Sequence, residues 1–331
     1  MRTPPIISIV VPCYNEEAVL SETVLRLGAL LDRLEAACVV SPGSHVIFVD
    51  DGSRDRTWPL ILDYASRDAR MRGLRLSRNR GHQNAVLAGM FNASSDAVVT
   101  IDADLQDDVD AIEKMVNAYR DGKDVVYGVR SSRSSDTFFK RWTAESYYRV
   151  LALFGVEIVF NHADYRLMSR RALAALSEFS EVNLFLRGVV PQIGFESGVV
   201  EYARSERFAG ESKYPLKKML ALAWQGVTSF SVTPLRFITG IGTIISCVSF
   251  ALGAWALIMA LLPGHTVPGW ASTVIPIYVL GGVQLIGIGV VGEYVGKTYF
   301  EVKRRPRYFV SEVVGEGLVA HGRPGDVDNQ R

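Results

Sequence analysis

Through the first two hundred positions, short unbroken apolar runs alternate with longer stretches whose apolar residues recur at helical spacing. Residues 6–11 form the first run, predicted as a buried strand and closed by Pro12. Residues 16–34 follow as a helix, with Val19, Leu20, Val24, Leu27, Leu30, Leu31 and Leu34 along one face. A second strand over 45–49 ends in Asp50-Asp51-Gly52-Ser53. The pattern then predicts a helix over 57–69, a short strand over 72–76, a helix over 83–92 and a β-branched strand leading to Asp102. An amphipathic helix over 111–119 and a strand over 124–128 continue the alternation. Repeated strand–helix units of this length predict an α/β layer with a mainly parallel sheet, whose ligands sit at the carboxyl ends of the strands.

Beyond residue 203 the pattern changes. Residues 237–262 and 270–292 are two uncharged runs, separated by the turn-forming stretch 263–269. Each is long enough to cross a bilayer, which predicts a two-helix transmembrane hairpin. Lys213, Lys217, Lys218 and Arg236 precede it, and Lys297, Lys303, Arg304, Arg305 and Arg307 follow, so the positive-inside rule puts both termini in the cytoplasm of an inner-membrane protein. Residues 214–224 read as an amphipathic interfacial helix, and the tail from Val313 onward as polar and loosely ordered. The expected organisation is a soluble domain over 1–203, a juxtamembrane segment over 204–234, the hairpin over 235–297 and a tail over 298–331. The glycines of the second run (Gly281, Gly282, Gly287, Gly289, Gly292) would allow close helix packing, including a homo-oligomer, or reflect only the tolerance of glycine in membrane helices.

Composition adds limits. A hydrophobic fraction of 48% fits the two apolar runs, and a formal net charge of +1 gives no pull toward nucleic acid. Cys13, Cys38 and Cys247 are far apart and form no CxxC pair, so they indicate neither a zinc site nor a disulfide framework and suit a reducing compartment. The N-terminus lacks the pattern of a secretory signal.

The chemistry gathers at strand ends. Asp102 and Asp104, one residue apart where a buried strand stops, would face the same way on an extended chain. Two such carboxylates repel unless a cation lies between them, and oxygen ligands of this kind suit Mg²⁺ or Mn²⁺ together with substrate phosphates. The alternative is a polar loop capping the next helix, a role that Asp107 and Asp108 fill more naturally. Pro12-Cys13-Tyr14-Asn15-Glu16 stands where a dinucleotide fold would carry GxGxxG, and no GxxxxGK[ST] loop occurs. Tyr14 for stacking on a base, carboxylates for a base or ribose, and a metal for a diphosphate describe a nucleotide-diphosphate site.

These stretches resemble a known family. Residues 9–17, Val49-Asp50-Asp51-Gly52-Ser53 and Asp102-Ala103-Asp104-Leu105-Gln106 are similar to the signatures of family 2 glycosyltransferases of the GT-A fold. Residues 78–85, 163–168 and 207–214 resemble its polyprenyl-phosphate branch, which includes dolichyl-phosphate mannose synthase and the bactoprenol glucosyltransferases. The resemblance implies a Rossmann-like GT-A domain and an inverting transfer from a nucleotide sugar, UDP rather than GDP, to a polyprenyl phosphate. It implies nucleotide-sugar binding by Pro12, Tyr14, Glu16, Asp50, Asp51, Gly81, Asp102, Ala103 and Asp104, and metal binding by Asp102, Asp104 and Gln106. Glu16 equally suits a helix N-terminus, and Gly81 an ordinary helix-entry turn.

Arg130, Arg133 and Arg141 have the shape for phosphate contacts, or form a solvated basic loop. Arg207, Ser212 and Lys213 stand where a lipid phosphate would arrive, or attract lipid headgroups. Asp164 matches the family's carboxylate for proton abstraction or acceptor orientation; pairing with Arg166 is the structural alternative. Two other readings remain at this stage. A processive polysaccharide synthase would carry QxxRW, but Phe138 holds the Gln position before Arg141-Trp142; a catalytically inactive scaffold is opposed by the intact Asp102, Asp104 and Asp164.

Overall fold

The computed structural model describes residues 2–130, 162–179, 181, 186–203, 235, 237–245, 247–248, 251, 255 and 270–318. The chain divides into two compact units, one of residues 1–148, 157–215 and 304–331, the other of 149–156 and 216–303.

The first unit is built on an eight-stranded sheet in the order β7-β5-β6-β4-β1-β2-β3-β8. β1 (Ile7–Cys13), β2 (His45–Asp50), β3 (Met71–Leu76) and β4 (Ala97–Thr100) form its parallel centre. Every residue of β1, β2 and β4 is buried, which is why these strands read as apolar runs without alternation. α1 (Leu20–Ala36), α2 (Thr57–Arg67) and α3 (His82–Asn92) cross between them, and α4 (Ala111–Arg120) precedes β5 (Val125–Arg130). Gly89 of α3 lets the helix lie against the strands, because a Cβ there would stand 2.3 Å from Val10 Cγ1 and 2.9 Å from Val49 Cγ2.

β6 (His162–Ser169) runs antiparallel to both β4 and β5, followed by α5 (Arg170–Ser177) and α6 (Leu186–Gln192). β7 (Ser197–Tyr202) pairs parallel with β5 at one edge. At the other edge β8 (Val310–Val314) pairs antiparallel with β3. The mainly parallel α/β sheet is as the pattern predicts, but Val313 and Val314, at the start of the stretch read as loose tail, belong to the edge strand β8.

In the second unit, α7 spans Trp270–Lys303 and exposes Leu285, Ile286 and Ile288. The expectation of an inner-membrane protein with two spans and cytoplasmic termini is corrected here. Among the described residues no helix is long and apolar enough to cross a membrane. α7 is uncharged only as far as Gly292 and continues into Glu293, Lys297, Glu301 and Lys303. Half of the first uncharged run, 237–262, and all of the interfacial stretch 214–224 lie outside the described residues.

Candidate functional site

The loops after β1 and β2 are tied into one surface by short polar side chains. Asn15, held at φ 56°, donates its backbone N–H to Ser53 Oγ at 2.9 Å and accepts from Arg54 N at 2.9 Å. Glu16 N donates to Thr57 Oγ1 at 2.9 Å, Glu17 N to Asp55 Oδ2 at 3.2 Å, and Glu17 Oε2 accepts from Arg56 N at 3.0 Å. Between these anchors Tyr14 stands 43% exposed, its ring open to a planar ligand, and Pro12 is buried.

At the end of β2 the two adjacent carboxylates have different surroundings. Asp50 is fully buried; its Oδ1 accepts from Ser53 N at 3.0 Å, and its Oδ2 lies 3.2 Å from Arg75 Nε without hydrogen-bond geometry. Asp51 uses both oxygens on the neighbouring loop, accepting from Arg80 N at 2.7 Å and Gly81 N at 2.9 Å. Burial pushes the Asp51 carboxyl up, and these two N–H donors pull it back. Gly52 allows that closeness: with φ at 71°, a Cβ would meet Asn79 N at 2.8 Å and the Arg78 carbonyl carbon at 2.9 Å. Gly81, also at positive φ, opens α3 and so aims His82.

His82 faces the second carboxylate group. Its Nε2 lies 3.5 Å from Asp102 Oδ1 and 3.7 Å from Asp164 Oδ2. β4 ends at Thr100, so Asp102 and Asp104 lie in the turn beyond it, and strand alternation does not place them. Leu105 takes φ 55° in that turn, and Asp104 Oδ1 accepts from Gln106 N at 3.2 Å. Ala103 is buried, its carbonyl receiving Thr23 Oγ1 at 3.1 Å. Burial pushes the Asp102 carboxyl up to about 6; His82 opposes this, and the charges of Asp107, Asp164 and Asp104 add to it.

Asp164, near the start of β6, is gripped from two sides. Arg187 of α6 reaches both oxygens, Nε to Oδ1 at 3.2 Å and its terminal nitrogen to Oδ2 at 3.1 Å, while Arg166 donates to Oδ1 at 2.8 Å. Although burial opposes ionisation, Arg187 and Arg166 hold its carboxyl well below the ordinary carboxylate range. Such a group keeps its charge firmly and has little basicity near neutral pH.

Asp107 does not cap α4; it turns inward, accepting from Tyr202 OH at 2.5 Å and lying 3.3 Å from Arg130. Arg130 is therefore held beside the carboxylate group, and Asp108 makes the turn before α4 by accepting from Asp110 N at 3.0 Å. Arg133, Arg141, Arg207, Ser212 and Lys213 lie outside the described residues. Sequence reasoning gave no role to His82 or Arg187. His82 had a signal, a polar residue opening a helix within the 78–85 stretch; Arg187 had none, since only the packing of α6 brings it to Asp164.

Among the described residues no group of three or more His, Cys, Asp or Glu is arranged to enclose a metal ion. The open pair Asp102 and Asp104 still suits Mg²⁺ or Mn²⁺, ions that bind through one or two carboxylates and complete their shell with substrate phosphates and water. Burial first, and the charges of Asp107, Asp164 and Asp104 after it, raise the Asp102 carboxyl, and a bound cation would favour its ionised form.

Comparison with known proteins agrees with this architecture. The profile for "Glycosyl transferase family 2" matches residues 8–177. An "Uncharacterized glycosyltransferase YkoT" of Bacillus subtilis is 51% identical over 93% of this chain and 92% of its own. The "Prophage bactoprenol glucosyl transferase homolog" of Escherichia coli is 39% identical over 93% of this chain and 99% of its own. The "SfII prophage-derived bactoprenol glucosyl transferase" of Shigella flexneri is 41% identical over 92% of this chain and 97% of its own. This chain belongs to glycosyltransferase family 2.

Proposed function

We propose that this protein transfers a sugar from a nucleotide-diphosphate sugar, UDP-linked in preference to GDP-linked, to the phosphate of a polyprenyl phosphate, with inversion at the anomeric carbon. The observation that carries the reading is the gathering of Asp50, Asp51, Asp102, Asp104 and Asp164 around the carboxyl end of the central strands. The polyprenyl acceptor is supported by relatives named for bactoprenol glucosyl transfer, aligned over nearly their whole length.

In this reading Tyr14 stacks on the base while Pro12, Glu16 and Asp50 shape its pocket, and Asp51 holds the loop through Gly81 against it. Asp102 and Asp104, with Gln106 beside them, would hold Mg²⁺ or Mn²⁺. Such an ion supplies charge stabilisation for the departing nucleoside diphosphate. Arg130, fixed by Asp107 and Tyr202, adds positive charge nearby. The acceptor is already an anion near neutral pH, so it needs no strong base. Asp164, kept ionised by Arg166 and Arg187, orients the reacting groups rather than taking a proton. A phosphate oxygen of the acceptor forms the new bond to the anomeric carbon as the bond to the diphosphate breaks, its electron pair leaving with the nucleotide. Arg133, Arg207, Ser212 and Lys213 are assigned to the acceptor phosphate, and Arg141 to the reacting phosphates.

The test is transfer of radiolabel from a panel of UDP- and GDP-sugars into the organic phase in the presence of undecaprenyl phosphate and Mn²⁺ or Mg²⁺. Lipid-borne label from one donor, lost without metal and in Asp104→Asn, is the expected result. Donor hydrolysis or polymer formation without lipid-borne label overturns the acceptor assignment.

A further inference from the structure

Asp50, Arg75 and Glu312 lie side by side across three neighbouring strands. Asp50 of β2 is in register with Arg75 of β3, and Arg75 with Glu312 of β8. Residues opposite one another in a sheet share a face, so the three side chains meet in a row. Arg75 stands between two carboxylates: its Nε is 3.2 Å from Asp50 Oδ2, and a terminal nitrogen donates to Glu312 Oε1 at 2.8 Å. Trp58 closes the arrangement, with the Arg75 guanidinium 5.7 Å from its ring centre and its own Nε1 donating to Glu312 Oε2 at 3.1 Å.

The geometry is unequal. The contact to Glu312 is a hydrogen bond, whereas Asp50 Oδ2, wholly buried, is near a cation but receives no hydrogen bond. A buried carboxylate oxygen in that state keeps its acceptor capacity for an incoming N–H or O–H.

We propose that Glu312 is a positioning residue for donor binding: by drawing the Arg75 guanidinium toward β8, it keeps Asp50 Oδ2 available to the base or ribose of the nucleotide. This inference rests on the donor-site reading of Asp50. It makes the returning strand β8, more than two hundred residues away in sequence, a part of the nucleotide pocket's electrostatics. Without the Glu312 charge, Arg75 turns fully onto Asp50 and competes with the nucleotide. The exposed ion pair limits the effect to about a three- to fivefold loss of affinity.

The experiment is titration calorimetry of the full-length protein with UDP and GDP, each with Mn²⁺, and with the matching nucleoside monophosphates. The variants are Glu312→Gln, Glu312→Asp and Asp50→Asn, each with a melting temperature. Glu312→Gln is expected to weaken the preferred diphosphate and its monophosphate by the same factor, since the defect lies at the base and ribose. Its melting temperature should be unchanged, and Glu312→Asp should recover part of the loss. In the transfer assay donor KM rises while kcat is retained. If Asp50→Asn weakens the nucleotide but Glu312→Gln does not, the role of Glu312 is overturned and the donor site stands. If neither nucleotide binds the wild type, or Asp50→Asn binds as well as wild type, the donor-site reading of Asp50 fails and this inference with it.

Discussion

At the level of single residues, the group around Asp164 shows how charge is held in place inside this fold. The Arg166 side chain is 2% exposed and that of Asp164 13%, so their opposite charges are buried against one another. Replacing Asp164 by Asn leaves Arg166 buried beside Arg187 with no counter-charge. The expected cost is about 3 kcal/mol, measured by denaturant unfolding, because an uncompensated buried charge is the dominant penalty. Removing Arg187 as well takes away the repulsion, so Asp164→Asn/Arg187→Gln should recover part of that loss and the two changes should not add. Gly52 gives a second test. Its φ of 71° and the 2.8 Å approach of a Cβ to Asn79 N leave no room for a side chain against backbone that is itself held by Asp51. Gly52→Ala should cost about 1–3 kcal/mol and raise donor KM, since the loop carrying Gly81 must move.

Among the parallel central strands, legibility in the sequence followed burial, whereas the buried antiparallel strand β6 had no counterpart in the predicted pattern. β1, β2 and β4 are buried along their whole length, so each appeared as an apolar run, and their order predicted the parallel centre. The strands added at the edges were harder to see. β7 and β8 are largely exposed, and the polar residues of β8 are what a one-sided edge strand shows. The site divides in the same way. Tyr14, Asp50, Asp102 and Asp104 follow directly from strand ends, because chain order alone brings them to one edge. Arg187, Tyr202 and Glu312 reach their partners only through tertiary packing, which no local pattern encodes. Gly73 tests how closely the edge is built: a Cβ there would stand 2.6 Å from Ile61 Cγ2 and 2.7 Å from Val314 Cγ1. Gly73→Val should therefore push β8 and α2 away from β3, lowering the melting temperature and exposing the β3 edge to aggregation, a change visible by light scattering.

For the molecule as a whole, stability should depend on pH through a residue far from the candidate site. His45, at the start of β2, is 2% exposed. Its Nε2 lies 2.8 Å from Ser8 Oγ and 3.3 Å from a terminal nitrogen of Arg72, and its Nδ1 2.9 Å from the Gly43 carbonyl oxygen. Burial lowers its pKa to about 4, with Arg72 adding to the effect and the Gly43 carbonyl opposing it. The unfolded chain titrates near the ordinary value of about 6.5. Between those values the unfolded state binds a proton that the folded state refuses, so stability rises with pH from about 4 to 6.5 and is then level. The loss at the acid end of that window is about 3 kcal/mol. Asp102, with its raised carboxyl, works in the opposite direction over part of the same range, but its side chain is 39% exposed and solvent weakens its effect. The comparison that isolates His45 is the difference in melting temperature between wild type and His45→Gln, followed from pH 7.5 down to 4.5 without nucleotide or metal. His45→Gln should melt lower at pH 7.5, having lost the fitted imidazole, and should gain on the wild type by about 5–10 °C as the pH falls. A difference that stays constant across that range would mean that the imidazole takes up its proton within the fold as readily as outside it.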